Sequence, residues 1–286
     1  MVRRMLALAP VAIGAMGWAA TDVCAQSSRM IAIDSARRLY NVDTSTGLVT
    51  EYLTATSNAG TTGGLAYDCT SGTVYLTSTS LDSLFTLDVE SGAATLIGAY
   101  GDTSVVMHGL EWDSSMGTLY GGTSERLFSI DTESGFATLI GATGVSSFSN
   151  LGYDSDNDVM YGTNSGADSF YSVDRSTGAF NLIGPLLGGS TNPNAMAYDS
   201  DAGIMYMMDN SQDNLYRMDL ESGQAILIGD IGASLNILGL VFIPADCGGG
   251  PACPGDIADD FGVLGADGMV SFGDFLALLG LVGPCP

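Results

Sequence analysis

Residues 108–141 read HGLEWDSSMGTLYGGTSERLFSIDTESGFATLIG, and four short phrases stand out in them: His108–Asp113 (HGLEWD), Gly117–Tyr120 (GTLY), Leu127–Asp131 (LFSID) and Phe136–Gly141 (FATLIG). Apolar residues alternate within each phrase, β-branched and aromatic residues are enriched, and turn residues intervene every 8 to 12 positions. That pattern specifies strands, and no helical period competes with it. The third phrase recurs at Leu39–Asp43, Leu84–Asp88, Phe170–Asp174 and Leu215–Asp219, each copy with a glycine four residues beyond its aspartate. The aspartates are 45, 43, 43 and 45 residues apart. A period of that length belongs to units of four short strands arrayed round an axis.

Counting the phrases shows how the array shuts. The first strand, of the type GLxYD, starts at residues 64, 109, 150, 195 and 239, but nothing of the repeat follows its last copy, Gly239–Ile243. The missing partners stand at the other end, where Met30–Asp34, Arg38–Asp43 and Leu48–Leu53 supply the second, third and fourth phrases with no first. Pairing Gly239–Ile243 with Met30–Asp34 completes a fifth unit from both ends of the chain and removes an exposed sheet edge. Large and small residues alternate along the first strand, as in Leu65-Ala66-Tyr67 and Leu151-Gly152-Tyr153. Successive side chains point to opposite faces, so bulky faces nest against shallow ones. The expected fold is all-β, a five-bladed β-propeller of four-stranded antiparallel blades over residues 29–245.

The ends carry other signals. Basic Met1–Arg4, the apolar run Met5–Ala20 and small residues up to Ala25 read as an export signal cleaved after Ala25, which places the protein outside the cytoplasm. Cleavage takes two arginines and one aspartate and moves the formal charge from −24 to −25. With no lysine and six scattered arginines, the chain lacks the basic patch that nucleic-acid binding needs. No later run of about 18 apolar residues is present to span a membrane. Cys69, Cys247, Cys253 and Cys285 remain after export. An even number suggests two disulfides, among three pairings that four cysteines allow.

The recurring aspartates Asp43, Asp88, Asp131, Asp174 and Asp219 sit in D-x-x-[ST]-G, where Asp accepts backbone N–H bonds and Gly takes a positive φ. They are turn residues, as are Asp68, Asp113, Asp154 and Asp199 between the first and second strands. Asp154, Asp156 and Asp158 have the alternate spacing that opens many calcium loops, though Val159 and Gly162 do not continue it. Departures from the repeat are the better functional candidates. His108, the single histidine, and Asn194 precede their inner strands; Asn150 begins its own; and Glu111 stands where other units have Ala66, Gly152, Ala197 and Val241. These four are the candidate ligand contacts. Residues i and i+3 of a strand face opposite sides, so His108 and Glu111 make a poor catalytic pair. Asp102, Glu111 and Asp230 are the carboxylates a glycoside hydrolase would draw on, and no nucleophile motif, zinc-binding pair of histidines or phosphate loop is present.

The phrases resemble those of secreted bacterial propeller repeats with an LYxID and TGxxTLIG pattern, a likeness that covers about three quarters of the chain and implies fold rather than activity. After Ile243 a Gly, Pro and Cys linker, residues 246–254, leads to a tail, residues 255–286, that resembles a single dockerin-like, EF-hand-type half-repeat. The resemblance implies a small helix-loop module with calcium as its cofactor, held by Asp267, the carbonyl of Met269, Ser271 and Asp274, and a docking partner or cell surface for it. Positions 1 and 3 of the loop are Val263 and Gly265, so Asp260 or Asp259 would have to reach back through an insertion. Cys253 and Cys285 flank the module and would staple it. Cys69 and Cys247 would then pair and tie down the closing strand. The loops leading into the inner strands are rich in Ser, Thr, Gly and Asn, which suits a carbohydrate or protein ligand and calls for no organic cofactor. The sequence reading is an exported, non-enzymatic binding or interaction module. The alternatives are a carbohydrate-active enzyme, hydrolase or lyase, and a structural surface protein.

Overall fold

The computed structural model describes residues 28–102 and 105–245. The export signal and the tail, with Asp260, Asp267, Met269, Ser271, Asp274, Cys247, Cys253 and Cys285, lie outside the described residues. Twenty strands form five sheets. In chain order they are β1 (Arg29–Asp34), β2 (Arg38–Val42) and β3 (Val49–Thr54); β4 (Thr62–Asp68), β5 (Thr73–Ser78), β6 (Ser83–Leu87) and β7 (Ala94–Ala99); and β8 (Gly109–Asp113), β9 (Thr118–Gly122), β10 (Arg126–Ile130) and β11 (Ala137–Ala142). There follow β12 (Phe148–Asp154), β13 (Val159–Asn164), β14 (Ser169–Val173) and β15 (Phe180–Pro185); then β16 (Pro193–Asp199), β17 (Ile204–Asp209), β18 (Asn214–Met218) and β19 (Ala225–Asp230); and last β20 (Ile237–Ile243). Four sheets are sequential antiparallel meanders, and the fifth has the order β20-β1-β2-β3. Arg29 pairs with Ile243 and Ala32 with Leu240, so both ends of the repeat region close the ring as the phrase count predicts.

The nesting of bulky on shallow faces appears as five separate apolar clusters, one at each junction between blades. Ile31, Ile33 and Val241 of the closing blade meet Leu65, Leu76 and Phe85. Ala66 and Leu84 meet Leu110, Leu119 and Phe128 at the next junction. Tyr120 and Leu127 then meet Leu151 and Met160. Tyr161 and Phe170 meet Met196 and Met205, and Ala195 and Leu215 meet Tyr40 and Leu240.

Outside these clusters the junctions are fastened by glycine against backbone. A Cβ on Gly98, Gly141, Gly184 or Gly229, the last residue of each TLIG-type phrase, would stand 1.9 to 2.1 Å from a carbonyl oxygen in the next blade's turn. That turn is the D-x-x-[ST]-G hairpin, whose own glycine, such as Gly135 at φ 78°, lies against Gly98 in return. The outer strand accommodates this contact with a bulge, since Leu127 pairs with Gly141 but Phe128 with Leu139, leaving Ile140 as the extra residue.

The innermost strands β4, β8, β12, β16 and β20 line the axis and converge at their starts. Added Cβ atoms on Gly64 and Gly239 would fall 2.7 and 2.8 Å from backbone nitrogens of the adjoining inner strand, Leu110 and Leu65. Only glycine permits that approach. Asn150 replaces glycine at this level and is itself buried. Its Nδ2 donates to the Asn194 carbonyl of the adjoining inner strand at 2.8 Å, and its Oδ1 accepts the Leu151 N–H at 2.7 Å.

Candidate functional site

Beyond the constriction, towards the ends of the inner strands, a cavity of about 260 Å³ opens. All five blades build it from matching positions. The aromatic residue of the GLxYD phrase supplies the wall: Tyr67, Trp112, Tyr153, Tyr198 and Phe242. Two residues further on, just past the end of each strand, Cys69, Ser114, Ser155, Ser200 and Pro244 form the rim. Ser114 and Ser155 are exposed, so the cavity opens on the face of the first-to-second-strand turns.

The wall is held in place by those turns. Tyr198 donates its hydroxyl to Asp156 of the adjoining blade at 2.8 Å, and Tyr153 donates to Asp158 at 2.9 Å. Arg175 packs its guanidinium over the Tyr153 ring, 5.6 Å from the centroid, while ion-pairing with Asp158 at 2.8 Å and with the fully buried Asp113. The Arg175 guanidinium and the hydroxyls of Ser115 and Tyr153 hold the Asp158 carboxyl well below the usual carboxylate range. Trp112 stacks on Tyr75 with centroids 6.1 Å apart.

Glu111 is the one carboxyl group in the lining. Its Oε1 accepts the Trp112 N–H at 3.0 Å, and the carboxyl also takes the backbone N–H of Tyr153 from the adjoining inner strand. Burial pushes the carboxyl well above the usual carboxylate range; the two N–H donors counter this in part, and the nearby Asp113 adds to it. Among the described residues no arginine forms an ion pair with it.

The other sequence candidates separate from this site. His108 lies at the opposite end of β8, half-buried, with its backbone N–H donating to the Gly122 carbonyl and its imidazole pKa lowered from the ordinary value by burial. Asn150 and Asn194 are joined to each other at the constriction. Asp102 is exposed in the loop before β8, and Asp230 at the end of β19 accepts the Gly232 N–H at 2.6 Å. Asp154, Asp156 and Asp158 are each turned to different partners: Asp154 to the N–H groups of Asp156 and Asn157, the other two to the tyrosines of the cavity wall. Among the described residues no group of three or more His, Cys, Asp or Glu is placed to hold a metal ion. Cys69 stands on the rim, and the other cysteines of the sequence lie outside the described residues. The aromatic wall is absent from the sequence candidates, although its signal is there: the fourth position of the inner-strand phrase is aromatic in all five copies.

The repeat aspartates behave as turn residues. Asp131 accepts the N–H groups of Glu133 and Ser134 at 3.1 and 2.7 Å, and its backbone carbonyl takes the Gly135 N–H at 2.8 Å. The Ser134 hydroxyl and these N–H groups hold its carboxyl below the ordinary range, and hydroxyl and N–H donors do the same for Asp43, Asp88 and Asp219 and take Asp174 to about 2.

Architecture and site together define a five-bladed β-propeller with a polar-aromatic cavity at one end of its axis. A chain in the crystal structure of a nidogen/laminin complex is similar to it over 77% of this chain and 100% of that one, at 14% identity and a TM-score of 0.55. A protein of unknown function from Bacteroides thetaiotaomicron is similar over 72% and 56% of the two chains, at 19% identity and a TM-score of 0.52. Virginiamycin B lyase from Staphylococcus aureus is similar over 74% and 73%, at 13% identity and a TM-score of 0.48. The first two likenesses describe the fold. No family model and no curated protein matches the chain.

Proposed function

We propose that the protein is an exported, non-enzymatic binding module that takes its ligand into the axial cavity and is attached to a partner or surface through its tail. The observation that carries this reading is the cavity, to which every blade contributes one aromatic side chain and one blade alone contributes a carboxyl group. Rings from five strands offer a ligand rigid, amphipathic contact area at low entropic cost, which is the usual make-up of a recognition pocket. Glycoside hydrolysis needs two carboxyl groups roughly 5 to 10 Å apart, and the lining provides one, which favours binding over the carbohydrate-active enzyme. The rim also bears on the tail. Cys69 lies on it and Pro244 leads directly out of it, so a bridge between Cys69 and Cys247 would seat the start of the tail beside the cavity mouth.

The test is a glycan and peptide binding screen of the exported chain, residues 26–286, with and without calcium, repeated with Trp112→Ala. Ligands lost on that substitution support the reading. Turnover of a bound glycan would favour the enzyme instead, and an absence of any ligand would favour a structural surface protein.

A further inference from the structure

Glu111 poses a question of charge. A half-buried carboxyl group lacking a cationic partner is costly to keep ionised. Lysine is absent from the chain, and the arginines from residue 29 onward are placed elsewhere: Arg29 at Glu90, Arg37 at the Gly60 carbonyl, Arg38 at Asp34, Arg126 over Phe128, Arg175 at Asp113 and Asp158, and Arg217 near Asp219. The countercharge is therefore missing from the protein side of this cavity. Around the carboxyl stand Tyr67, Trp112, Tyr153, Tyr198 and Phe242, whose faces attract cations through their quadrupoles. Trp112 leaves its indole N–H buried without a hydrogen-bond partner. The formal charge of −24 draws cations to the whole molecule.

We propose that the axial cavity recognises an organic ammonium group, with Glu111 as its counterion and the five-blade aromatic ring as its cage. The inference rests on the binding-module reading above and names the ligand class of that site. The ammonium supplies the positive charge Glu111 lacks, and its alkyl groups lie against the rings. A neutral sugar would fill the volume but leave the carboxyl unpaired. The same chemistry is presented by a free small amine and by a methylated lysine side chain on a protein.

Calorimetric titration of the exported chain with choline, with its uncharged isostere 3,3-dimethylbutan-1-ol, and with an acetylated trimethyl-lysine tripeptide tests this. Choline or the peptide should give saturable heat, with the isostere roughly tenfold weaker or more. Glu111→Gln should weaken the cations by a similar factor. Tighter binding of the peptide points to a protein-borne group and tighter binding of choline to a free amine, and either upholds the proposal. Equal binding of choline and its isostere overturns it, and so does an unchanged affinity in Glu111→Gln. The comparison of choline with its isostere needs only the unaltered protein, so a variant that fails to fold does not obscure it. If the cations fail while the glycan screen finds a ligand lost in Trp112→Ala, the cation inference falls and the binding module stands. If both fail, both readings fall.

Discussion

Glu111 is legible in the sequence as an anomaly and illegible as a site. Its position is held by small or aliphatic residues in the other four blades, so the break in the repeat is plain. What surrounds it comes from all five inner strands, Tyr67 and Phe242 being 175 residues apart along the chain, and no local pattern reports that. A buried acid that holds its proton more tightly folded than unfolded stabilises the fold at low pH. That contribution fades as pH rises from the unfolded value near 4.5 through the raised folded value. Glu111→Gln abolishes the dependence. Its melting temperature relative to the unaltered protein should climb across that window and level off above it, as thermal unfolding of both proteins from pH 4 to 8 will show; a difference constant in pH would contradict the assignment. The turn aspartates act in the opposite sense, since their depressed values give stability that is lost as pH falls, but they are common to both proteins and cancel in the difference. Arg175 yields a second expectation. Its removal leaves Asp113 fully buried without its countercharge and frees the ring of Tyr153, so Arg175→Ala should cost about 3 kcal/mol in urea unfolding. Adding Asp113→Asn should recover much of that loss.

At the scale of strands and turns, periodicity makes the elements readable, because alternation and turn residues are local properties. It identifies the hairpin aspartates correctly for the same reason, since each bonds only to its own turn. The contacts between elements follow less well. Alternating large and small residues announce that faces nest, yet the glycine closing each TLIG phrase gives no sign of its role. Its importance lies in a carbonyl of the adjoining blade, 36 to 38 residues further on for Gly98, Gly141 and Gly184, and at Thr46, across the ring closure, for Gly229. Gly141→Ala tests this contact. The added methyl would stand 2.0 Å from the Thr177 carbonyl oxygen, which is backbone and cannot swing aside, so a loss of about 3 kcal/mol is expected. Gly166→Ala in the neighbouring blade meets only side-chain atoms at 3.3 Å and beyond, and should change stability by about 0.5 kcal/mol or less. Equal effects in the two variants, measured by chemical denaturation, would show that the outer glycine contact does not fasten the blades.

For the whole molecule, the decisive fact is that the ring is closed by pairing, with β20 joining β1 across the two ends of the repeat region. The incomplete first and last copies of the repeat disclose this closure, because counting phrases takes in the whole chain at once. The same count is silent on where along the axis a ligand would sit. The polar loops point to one mouth, whereas the inner strands approach backbone to backbone near their starts and the cavity opens towards their ends. Closure by pairing has a mechanical consequence. The Ala245 N–H donates to Ser28 Oγ at 3.0 Å, so the two ends of the described chain are neighbours and a short linker can join them. Opening the joined chain in the exposed turn between Ser124 and Glu125 transfers the two-ended blade from the β20-β1-β2-β3 sheet to the β8–β11 sheet and leaves every strand pairing available. Such a permutant should melt cooperatively near the temperature of the linear chain 28–245. Truncation after Asn236, which removes the strand that buries Ile31 and Ile33 and covers the β1 edge, should abolish the cooperative transition and favour aggregation. Near-UV circular dichroism and thermal melts of the three chains decide between the two mechanisms of closure: a permutant that fails to fold while the linear chain folds would mean that the chain ends themselves, rather than the complement of strands, hold the ring together.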